Sequence, residues 1–347
     1  MEPIYFAAQT LSAAVSNTEA IGELEKALLG EVDPEQDAQR LFSPTSGGEF
    51  LLMPATGIEY SGVKLATIAP QNPSIGLPKI QGVYVLFDSR TLAPLAAMDG
   101  AELTLIRTPA TTALALKHIL ASSPRRRPIE ATNPAAGTLV IFGTGPQAWR
   151  HIKAFQSIAS VEKVIVVGRD KKKAESVAQR CRSQNIAAMA GGVSSVASAD
   201  LIICASSSST PLFDAALVQP HAVIAAVGSH GLDAREIDPV LVRRANIVVE
   251  SRASAMRESG NLIPARSREE WREMTVTNLA ELVRGEFSRD LDRPTLYTSA
   301  GMAWQDLVIA SAIFSRHRRL RSRTSPVTEH RLWRTPTNHH QREGKHD

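Results

Sequence analysis

A glycine-rich turn between a predicted strand and a predicted helix constrains the fold of this chain most strongly. The strand is the apolar run Thr138–Phe142, and the turn has the spacing G-x-G-x-x-A, with Gly143, Thr144, Gly145, Pro146, Gln147 and Ala148. The first Gly permits a tight turn, the second lets the backbone approach a pyrophosphate, and the small last residue lets the helix pack on the strand. Because a helix N-terminus also offers free N–H groups to phosphates, we predict a dinucleotide site. The alternative is a turn in another doubly wound sheet that binds nothing.

The order of the predicted elements indicates an α/β fold. After the turn, strand and helix patterns alternate, which favours a parallel sheet wound in the right-handed sense. The strands predicted there are Lys163–Val167, Leu201–Ala205, Ala222–Val227 and Ile247–Glu250. Before a linker at residues 122–136, the predicted strands are Phe50–Met53, Val63–Ile68, Gly82–Phe87 and Leu95–Met98. The predicted helices are a short one that Asn17-Thr18 caps, Ala101–Leu120 with an early interruption at Pro109, and Ala303–Phe314. We therefore predict a Rossmann-type doubly wound parallel sheet plus a smaller α+β domain.

The end of the second predicted Rossmann strand bears on the choice of dinucleotide. An NAD site usually places a carboxylate at this tip, where it accepts a hydrogen bond from the ribose 2′-OH. Here the tip is Gly168, and Arg169 and Asp170 follow it. A guanidinium without a carboxylate at the tip suits a 2′-phosphate, which Arg binds in a bidentate manner. We predict that NADP(H) is preferred and that NAD(H) remains possible, because Asp170 could still serve the ribose.

The positive charge of the chain belongs to its C-terminal tail. The net charge is +4, but residues 316–347 hold nine Lys or Arg and three Asp or Glu, so this segment carries +6 and the remainder carries −2. This distribution argues against a nucleic-acid-binding face, and the tail composition predicts disorder over residues 325–347. The two cysteines form no disulfide framework or metal cluster, so no metal is predicted. Without a recognisable signal peptide or membrane-spanning run, the expected location is the cytoplasm.

The chain resembles the ornithine cyclodeaminase/μ-crystallin family over about residues 35–315. The matching stretches occur in one order, which makes the resemblance specific. They are Met53-Pro-Ala55, Val63-Lys64, Asn72-Pro-Ser-Ile-Gly-Leu-Pro78, Pro94-Leu-Ala-Ala-Met-Asp-Gly100, Leu103-Thr-Leu-Ile-Arg-Thr-Pro-Ala110, the glycine-rich turn, Ala226-Val-Gly228, Arg235-Glu-Ile-Asp238, Glu258-Ser-Gly260, and Ser299-Ala-Gly-Met-Ala303 with Asp306.

The resemblance implies a homodimer of two-domain subunits. Residues 1–122 with 302–324 would form the substrate-binding and dimerisation domain, and residues 123–301 would form the dinucleotide-binding domain. Arg40, Lys64 and Arg107 match a set of three cations that holds the α-carboxylate of a small amino or imino acid. The nicotinamide is expected at the carboxyl ends of the parallel strands, next to Val227 and Gly228.

Departures from the family pattern bear on the reaction. The two acids that cyclodeaminases of this family use match Leu51 and His230 here, and the resemblance places this chain nearer the NADPH-dependent ketimine reductase branch, which lacks both. Leu51 cannot take up a proton, and a neutral imidazole does not replace a carboxylate next to an ammonium group. Pro109 also departs from the pattern, and it restrains the backbone next to Arg107.

We therefore expect an NAD(P)H-dependent reductase of a small imine that bears a carboxylate, such as a cyclic ketimine acid. If the imine must be protonated, Asp233 or His230 is the candidate donor. The equal alternative for both is a loop residue that precedes a helix. Three other functions stay open: a cyclodeaminase-type lyase with a recycled NAD, a protein that binds NADPH and a small ligand without turnover, and an oxidative amino-acid dehydrogenase.

Overall fold

The computed structural model describes residues 2–122, 135–229 and 231–324. Most of the predicted linker, His230 and the tail at 325–347 lie outside these ranges. The strands of the described residues are β1 (Ile4–Phe6), β2 (Leu41–Thr45), β3 (Gly48–Thr56), β4 (Tyr60–Ile68), β5 (Ile80–Asp88), β6 (Pro94–Asp99), β7 (Ala135–Phe142), β8 (Ser160–Val167), β9 (Ala188–Ala190), β10 (Leu201–Cys204), β11 (Val223–Ala226), β12 (Asn246–Val249), β13 (Val276–Asn278) and β14 (Thr295–Thr298). The α-helices are α1 (Ala8–Ala14), α2 (Asn17–Leu29), α3 (Gly100–Ala121), α4 (Pro146–Gln156), α5 (Lys171–Arg182), α6 (Pro239–Arg244), α7 (Arg252–Glu258), α8 (Arg268–Glu273), α9 (Leu279–Val283) and α10 (Ala303–Thr324).

The first six strands form one sheet, in the order β1-β6-β5-β4-β3-β2. The pairing of β1 with β6 is parallel, and the other pairings are antiparallel. Alternate residues face the core, where α3 and α10 cover the sheet. Met53, Lys64, Tyr84 and Met98 are buried on this face. Helix α10 therefore returns to the N-terminal sheet, a packing that its sequence pattern did not reveal.

The α3 helix runs through Pro109 without ending. It spans Gly100–Ala121, and the Asp99 carboxylate caps its start by accepting a hydrogen bond from the N–H of Glu102 at 2.8 Å. The predicted early interruption is therefore wrong. Proline removes one helical N–H and disfavours the helix interior. Nearly every residue from Ile106 to Leu116 is buried, so tertiary packing outweighs that local cost.

The cap of the α2 helix is Ser16, one residue before the predicted Asn17-Thr18. The hydroxyl of Ser16 accepts a hydrogen bond from the N–H of Glu19, and the Glu19 carboxylate accepts one from the N–H of Ser16. This reciprocal capping box satisfies two helix-end donors.

The remaining strands form an all-parallel sheet, as predicted. Its order is β13-β12-β14-β11-β10-β7-β8-β9, so the strand order reverses between β7 and β10. Ligands of open α/β sheets bind at such a reversal, outside the carboxyl ends of the strands. The sequence patterns missed β14, which is inserted between β11 and β12. Its four residues are all buried, but a segment this short has no recognisable periodicity.

The two sheets meet along α3, which packs on α4 and also contacts β11 and β14. This helix therefore connects the N-terminal sheet to the parallel sheet. Among the described helices, none is both long enough and apolar enough to cross a membrane. Within the same residues, no group of His, Cys, Asp or Glu is arranged to hold a metal ion, and Cys181 and Cys204 are buried free thiols.

Candidate active site

Two of the three predicted cations meet at one buried carboxylate. Lys64 projects from the core face of β4, Arg107 lies on α3, and Asp306 lies in the first turn of α10. The Lys64 ammonium donates to Asp306 Oδ2 at 2.7 Å, and Arg107 Nε lies 3.6 Å from Asp306 Oδ1. All three side chains are almost fully buried. A buried charge needs a partner, so this cluster accounts for both cations.

Burial lowers the pKa of Lys64. Removal from water, together with the nearby charge of Arg107, lowers this pKa to about 8, against the attraction of Asp306. The ammonium also donates to the Thr104 hydroxyl at 3.3 Å. A lysine with a pKa near the working pH is suited to proton transfer as well as to anion binding.

Arg107 is fixed by a chain of hydrogen bonds that leads to the parallel sheet. Its Nη1 donates to Gln305 Oε1 at 3.0 Å, and Gln305 Nε2 donates to Glu250 Oε1 at 2.6 Å. Glu250 directly follows β12 and accepts from the N–H of Gly301 at 2.9 Å. Gly301 has a φ of +80°, and a Cβ there would lie 2.5 Å from Arg107 Nη1, so glycine is required. Arg107 therefore lies against the carboxyl ends of β12 and β14.

Arg40 binds the loop that joins β14 to α10. Its Nη2 donates to the carbonyls of Ala300, at 3.0 Å, and Gly301. Its Nε lies 2.8 Å from Glu258 Oε2, and Glu258 also pairs with Arg257. The structure thus brings the three predicted cations around the loop that joins β14 to α10. Arg40 differs from the other two because protein carbonyls and a carboxylate already hold much of its guanidinium.

The glycine-rich turn has the shape that a pyrophosphate needs. Gly143 has a φ of +124°, and a Cβ there would lie 2.4 Å from the carbonyl oxygen of Ala205. A Cβ on Gly145 would meet nothing within 4 Å, so space is open at this point. Gly145 also precedes α4 without a side-chain cap, and Pro146 takes the first turn of the helix. Gln147 Oε1 is buried without a hydrogen-bond partner among the described residues. These features fit a bound dinucleotide.

The segment after β8 contains an exposed cation, Arg169, and a carboxylate, Asp170, that already accepts backbone hydrogen bonds. A Cβ on Gly168 would lie 2.6 Å from Thr144 Cγ2, so this glycine lets the two loops approach. Arg169 is exposed. The Asp170 carboxylate accepts from the N–H groups of Lys172 and Lys173, at 2.9 and 3.2 Å, and caps α5. Asp170 therefore has a structural role that the sequence patterns did not assign.

Of the two predicted proton donors, Asp233 and His230, the structure describes only Asp233. Asp233 is exposed in the loop after β11, and no hydrogen bond or ion pair involves its side chain in the described part of the chain. His230 is outside the described residues. Leu51, on β3, packs partly buried against the hydrophobic core.

Sequence reasoning did not assign roles to Glu250, Gln305 and Asp306. One signal was present: Asp306 is an acid in the otherwise apolar start of α10. A carboxylate there needs a buried cation, which indicates a partner elsewhere in the chain.

Comparisons with known proteins identify the family and several similar reductases. The model of the ornithine cyclodeaminase/mu-crystallin family matches residues 7–320. The chain is 32% identical over 275 residues to a Δ1-pyrroline-2-carboxylate reductase of Bacillus cereus, covering 77% of this chain and 81% of the relative. It is 30% identical over 251 residues to the ketimine reductase mu-crystallin of Mus musculus, covering 72% and 74%. The solved Δ1-pyrroline-2-carboxylate reductase of Thermococcus litoralis, in complex with NADH and L-proline, superposes with a TM-score of 0.80 at 25% identity, covering 91% and 98%.

Proposed function

This chain belongs to the ornithine cyclodeaminase/mu-crystallin family, and from that premise we propose that it is an NAD(P)H-dependent reductase of a small imine that bears a carboxylate. Cyclic ketimine acids are the proposed substrates, and cyclic amino acids are the products. One observation carries the proposal: the buried Lys64, Arg107 and Asp306 cluster lies against the carboxyl ends of β12 and β14. Ligands of open parallel sheets bind at this edge.

We propose that Arg107, Lys64 and Arg40 hold the substrate carboxylate. Arg and Lys are the residues that bind a carboxylate in a partly dry site, and Arg107 is already oriented by Gln305. Fixing the carboxylate presents one face of the imine carbon to the dinucleotide edge. Catalysis is then mainly a matter of positioning.

The proposed cofactor site consists of Gly143, Thr144, Gly145, Pro146 and Gln147, with Gly168, Arg169, Val227 and Gly228. When bound, the reduced nicotinamide supplies the hydride. We propose that NADPH is preferred to NADH, and the exposed Arg169 beside an engaged Asp170 supports this preference.

For the proton, Lys64 is the described residue best suited as donor. It is buried in the cluster, and its pKa of about 8 leaves the ammonium protonated at neutral pH yet able to release a proton. Asp233 and His230 remain second candidates for the donor. The variant Asp233→Asn distinguishes Lys64 from Asp233 as the donor, because it should leave turnover nearly unchanged if Lys64 is the donor.

We also propose a homodimer that forms through the outer face of the N-terminal sheet. An apolar row crosses four strands on this face, with Leu41 opposite Leu52, Leu52 opposite Leu65 and Leu65 opposite Val83. Strands that are apolar on both faces are typical of sheets that are covered on both sides. The core covers one face, and a second copy is the proposed cover of the other. Two buried free cysteines support a reducing compartment such as the cytoplasm.

The function is tested by following NAD(P)H absorbance at about 340 nm with five- and six-membered cyclic imino acids. We expect nucleotide oxidation in proportion to imino acid consumed, and no release of ammonia from ornithine. Leu51 supports this expectation, because an alkyl side chain cannot manage the protons of a deamination. Ammonia release from ornithine without net nucleotide change would establish the lyase instead. Tight nucleotide binding without turnover of either substrate class would leave only the binding function.

A further inference from the structure

A completely buried carboxylate joins the ends of two neighbouring parallel strands. Glu236 is 0% exposed, and it lies in the segment between β11 and α6. Its Oε1 accepts hydrogen bonds from the N–H and the hydroxyl of Ser206, at 2.8 and 2.7 Å. Its Oε2 accepts from the N–H of Gly228 at 2.8 Å, and the N–H of Ser229 is a further donor. Ser206 follows β10 and Gly228 follows β11, so one side chain ties both strand ends together.

The backbone is shaped to receive this carboxylate. A Cβ on Gly228 would lie 2.0 Å from the carbonyl oxygen of Ser206 and 2.7 Å from Glu236 Oε1, so only glycine fits. Asn261, also fully buried, accepts from the N–H of Glu236 at 2.8 Å and donates to the Ser229 hydroxyl at 2.8 Å. Asn261 thus fixes the backbone of Glu236 and the side chain of Ser229.

Four donors surround the Glu236 carboxylate and favour its ionised form. Burial raises the pKa of Glu236, and the donors oppose that effect. The N–H groups of Ser206, Gly228 and Ser229 can only donate, so a proton on Oε2 would displace one of them, and only the Ser206 hydroxyl could accept a proton from Oε1. No Lys or Arg forms an ion pair with Glu236 in the part of the chain that the structure describes. A negative charge without a cation is therefore held at this edge of the sheet.

This edge belongs to the nicotinamide half of the sheet. The strand order reverses between β7 and β10, and each half of such a sheet binds one mononucleotide of the dinucleotide. The glycine-rich turn follows β7, so the half that contains β10, β11 and β14 receives the nicotinamide. Oxidised nicotinamide carries one more positive charge than the reduced form, and a buried carboxylate acts more strongly on a nearby charge than an exposed one does.

We infer that Glu236 is a positioning residue which fixes the ends of β10 and β11 as one surface and places a negative charge that favours the oxidised nucleotide over the reduced one. The inference rests on the proposed function, because it needs a nicotinamide nucleotide at this edge. Such a charge favours loss of hydride, since positive charge develops on the nicotinamide as hydride leaves.

The test measures Kd for NADP⁺ and for NADPH on the full chain without imino acid, by calorimetry and by nucleotide fluorescence. Glu236→Gln removes the charge and should raise the ratio of the NADP⁺ Kd to the NADPH Kd on the order of fivefold. Glu236→Asp keeps the charge but is too short to reach both strands. It should therefore weaken the binding of both nucleotides and leave the ratio of their Kd values unchanged. Asp238→Asn, which loses a charge on the same segment but keeps an oxygen that can cap the helix, should change neither the ratio nor the two affinities.

An unchanged ratio in Glu236→Gln, with both affinities reduced equally, would overturn the inference and leave a structural role only. Circular dichroism checks that Glu236→Gln folds, and a raised ratio in Glu236→Asp, which keeps the charge, would equally overturn the inference. Absence of nucleotide binding in the unmodified protein would contradict the proposed function itself, so the two failures are distinguishable.

Discussion

At the scale of single residues, the exposed Arg169 is the residue that we propose to determine the nucleotide preference. Arg169→Ala should weaken NADPH binding about tenfold and leave NADH binding nearly unchanged, because only NADPH carries the 2′-phosphate. Lys172→Ala is the matched control. It removes a cation from the first turn of α5, the helix that follows Arg169 and Asp170, and it should have a much smaller effect on NADPH binding. Fluorescence titration of both nucleotides measures this difference. Equal losses for NADPH and NADH in Arg169→Ala would mean that the guanidinium only shapes the loop.

Lys64 illustrates how a binding residue can also carry stability. Lys64→Met leaves Asp306 buried next to Arg107 alone, and breaking a buried pair costs about 3–5 kcal/mol. Loss of activity in that variant alone would therefore be ambiguous. The double variant Lys64→Met/Asp306→Asn removes both charges of that pair but leaves Arg107 without a carboxylate, so it should regain only part of the free energy of unfolding. It should still reduce kcat/KM for the imino acid by at least about a hundredfold, since it lacks the ammonium.

Urea unfolding and steady-state kinetics on the single and double variants check this prediction. A double variant that is stable and fully active would show that Lys64 serves the fold and not the substrate. Nucleotide affinity is the internal control, because the cluster lies apart from the glycine-rich turn in the chain and on other elements.

At the scale of elements, His151 connects the dinucleotide helix to the helix that carries Arg107. It lies on α4, and it is almost fully buried against α3. Its Nδ1 bonds to the carbonyl of Gln147 at 2.8 Å, and its Nε2 lies 3.1 Å from the Thr112 hydroxyl. A carbonyl can only accept, so Nδ1 carries the proton of the neutral ring. Burial lowers the pKa of His151 to about 4.

This shift makes the packing of α4 on α3 sensitive to acid. The unfolded chain binds a proton at His151 below about pH 6.5 and the folded chain only below about pH 4, so stability falls as pH falls through this window. The shift corresponds to about 3 kcal/mol when the whole window is crossed. His151→Gln should remove this part of the pH dependence, as measured by urea unfolding at several pH values between about 4 and 7.

Asp37 acts in the opposite direction and provides a control. Burial raises the pKa of Asp37 to about 6, so the folded chain binds this proton first and stability falls as pH rises from about 4 to 6. The contribution of Asp37 is present in both the wild type and His151→Gln, so it cancels when their free energies of unfolding are subtracted. The same pH slope in wild type and His151→Gln would contradict the assignment.

At the scale of the whole molecule, the N-terminal sheet has an apolar row on the face that is opposite α3 and α10. Leu65→Glu places a charge in the middle of the row formed by Leu41, Leu52 and Val83, and it should convert the proposed dimer to monomer in sedimentation or gel-filtration experiments. Leu29→Glu is the matched control on an exposed helix end, and it should leave the assembly unchanged. A dimer that survives Leu65→Glu would require a different interface.

Local patterns in the sequence determine most of the fold. Strands such as Lys163–Val167 and Leu201–Ala205 are recognisable because a buried parallel strand is a continuous apolar run bounded by turns. The parallel sheet, the glycine-rich turn and the family all follow from residues that are close together in the chain. The short strand β14 does not, because four residues carry no period, and only its neighbours β11 and β12 define it as a strand.

The chemistry of the site is decided by tertiary structure. The family resemblance identifies three candidate cations. Local patterns cannot say that Lys64 and Asp306, which are 242 residues apart, share a hydrogen bond, or that α10 packs on the N-terminal sheet to make it. They also assign no role to Glu236, which acts through backbone N–H groups on two other segments. The physical reason is the same in each case. Periodicity and turn chemistry depend on neighbouring residues, whereas buried ion pairs and strand-end hydrogen bonds depend on chain segments that only folding brings together.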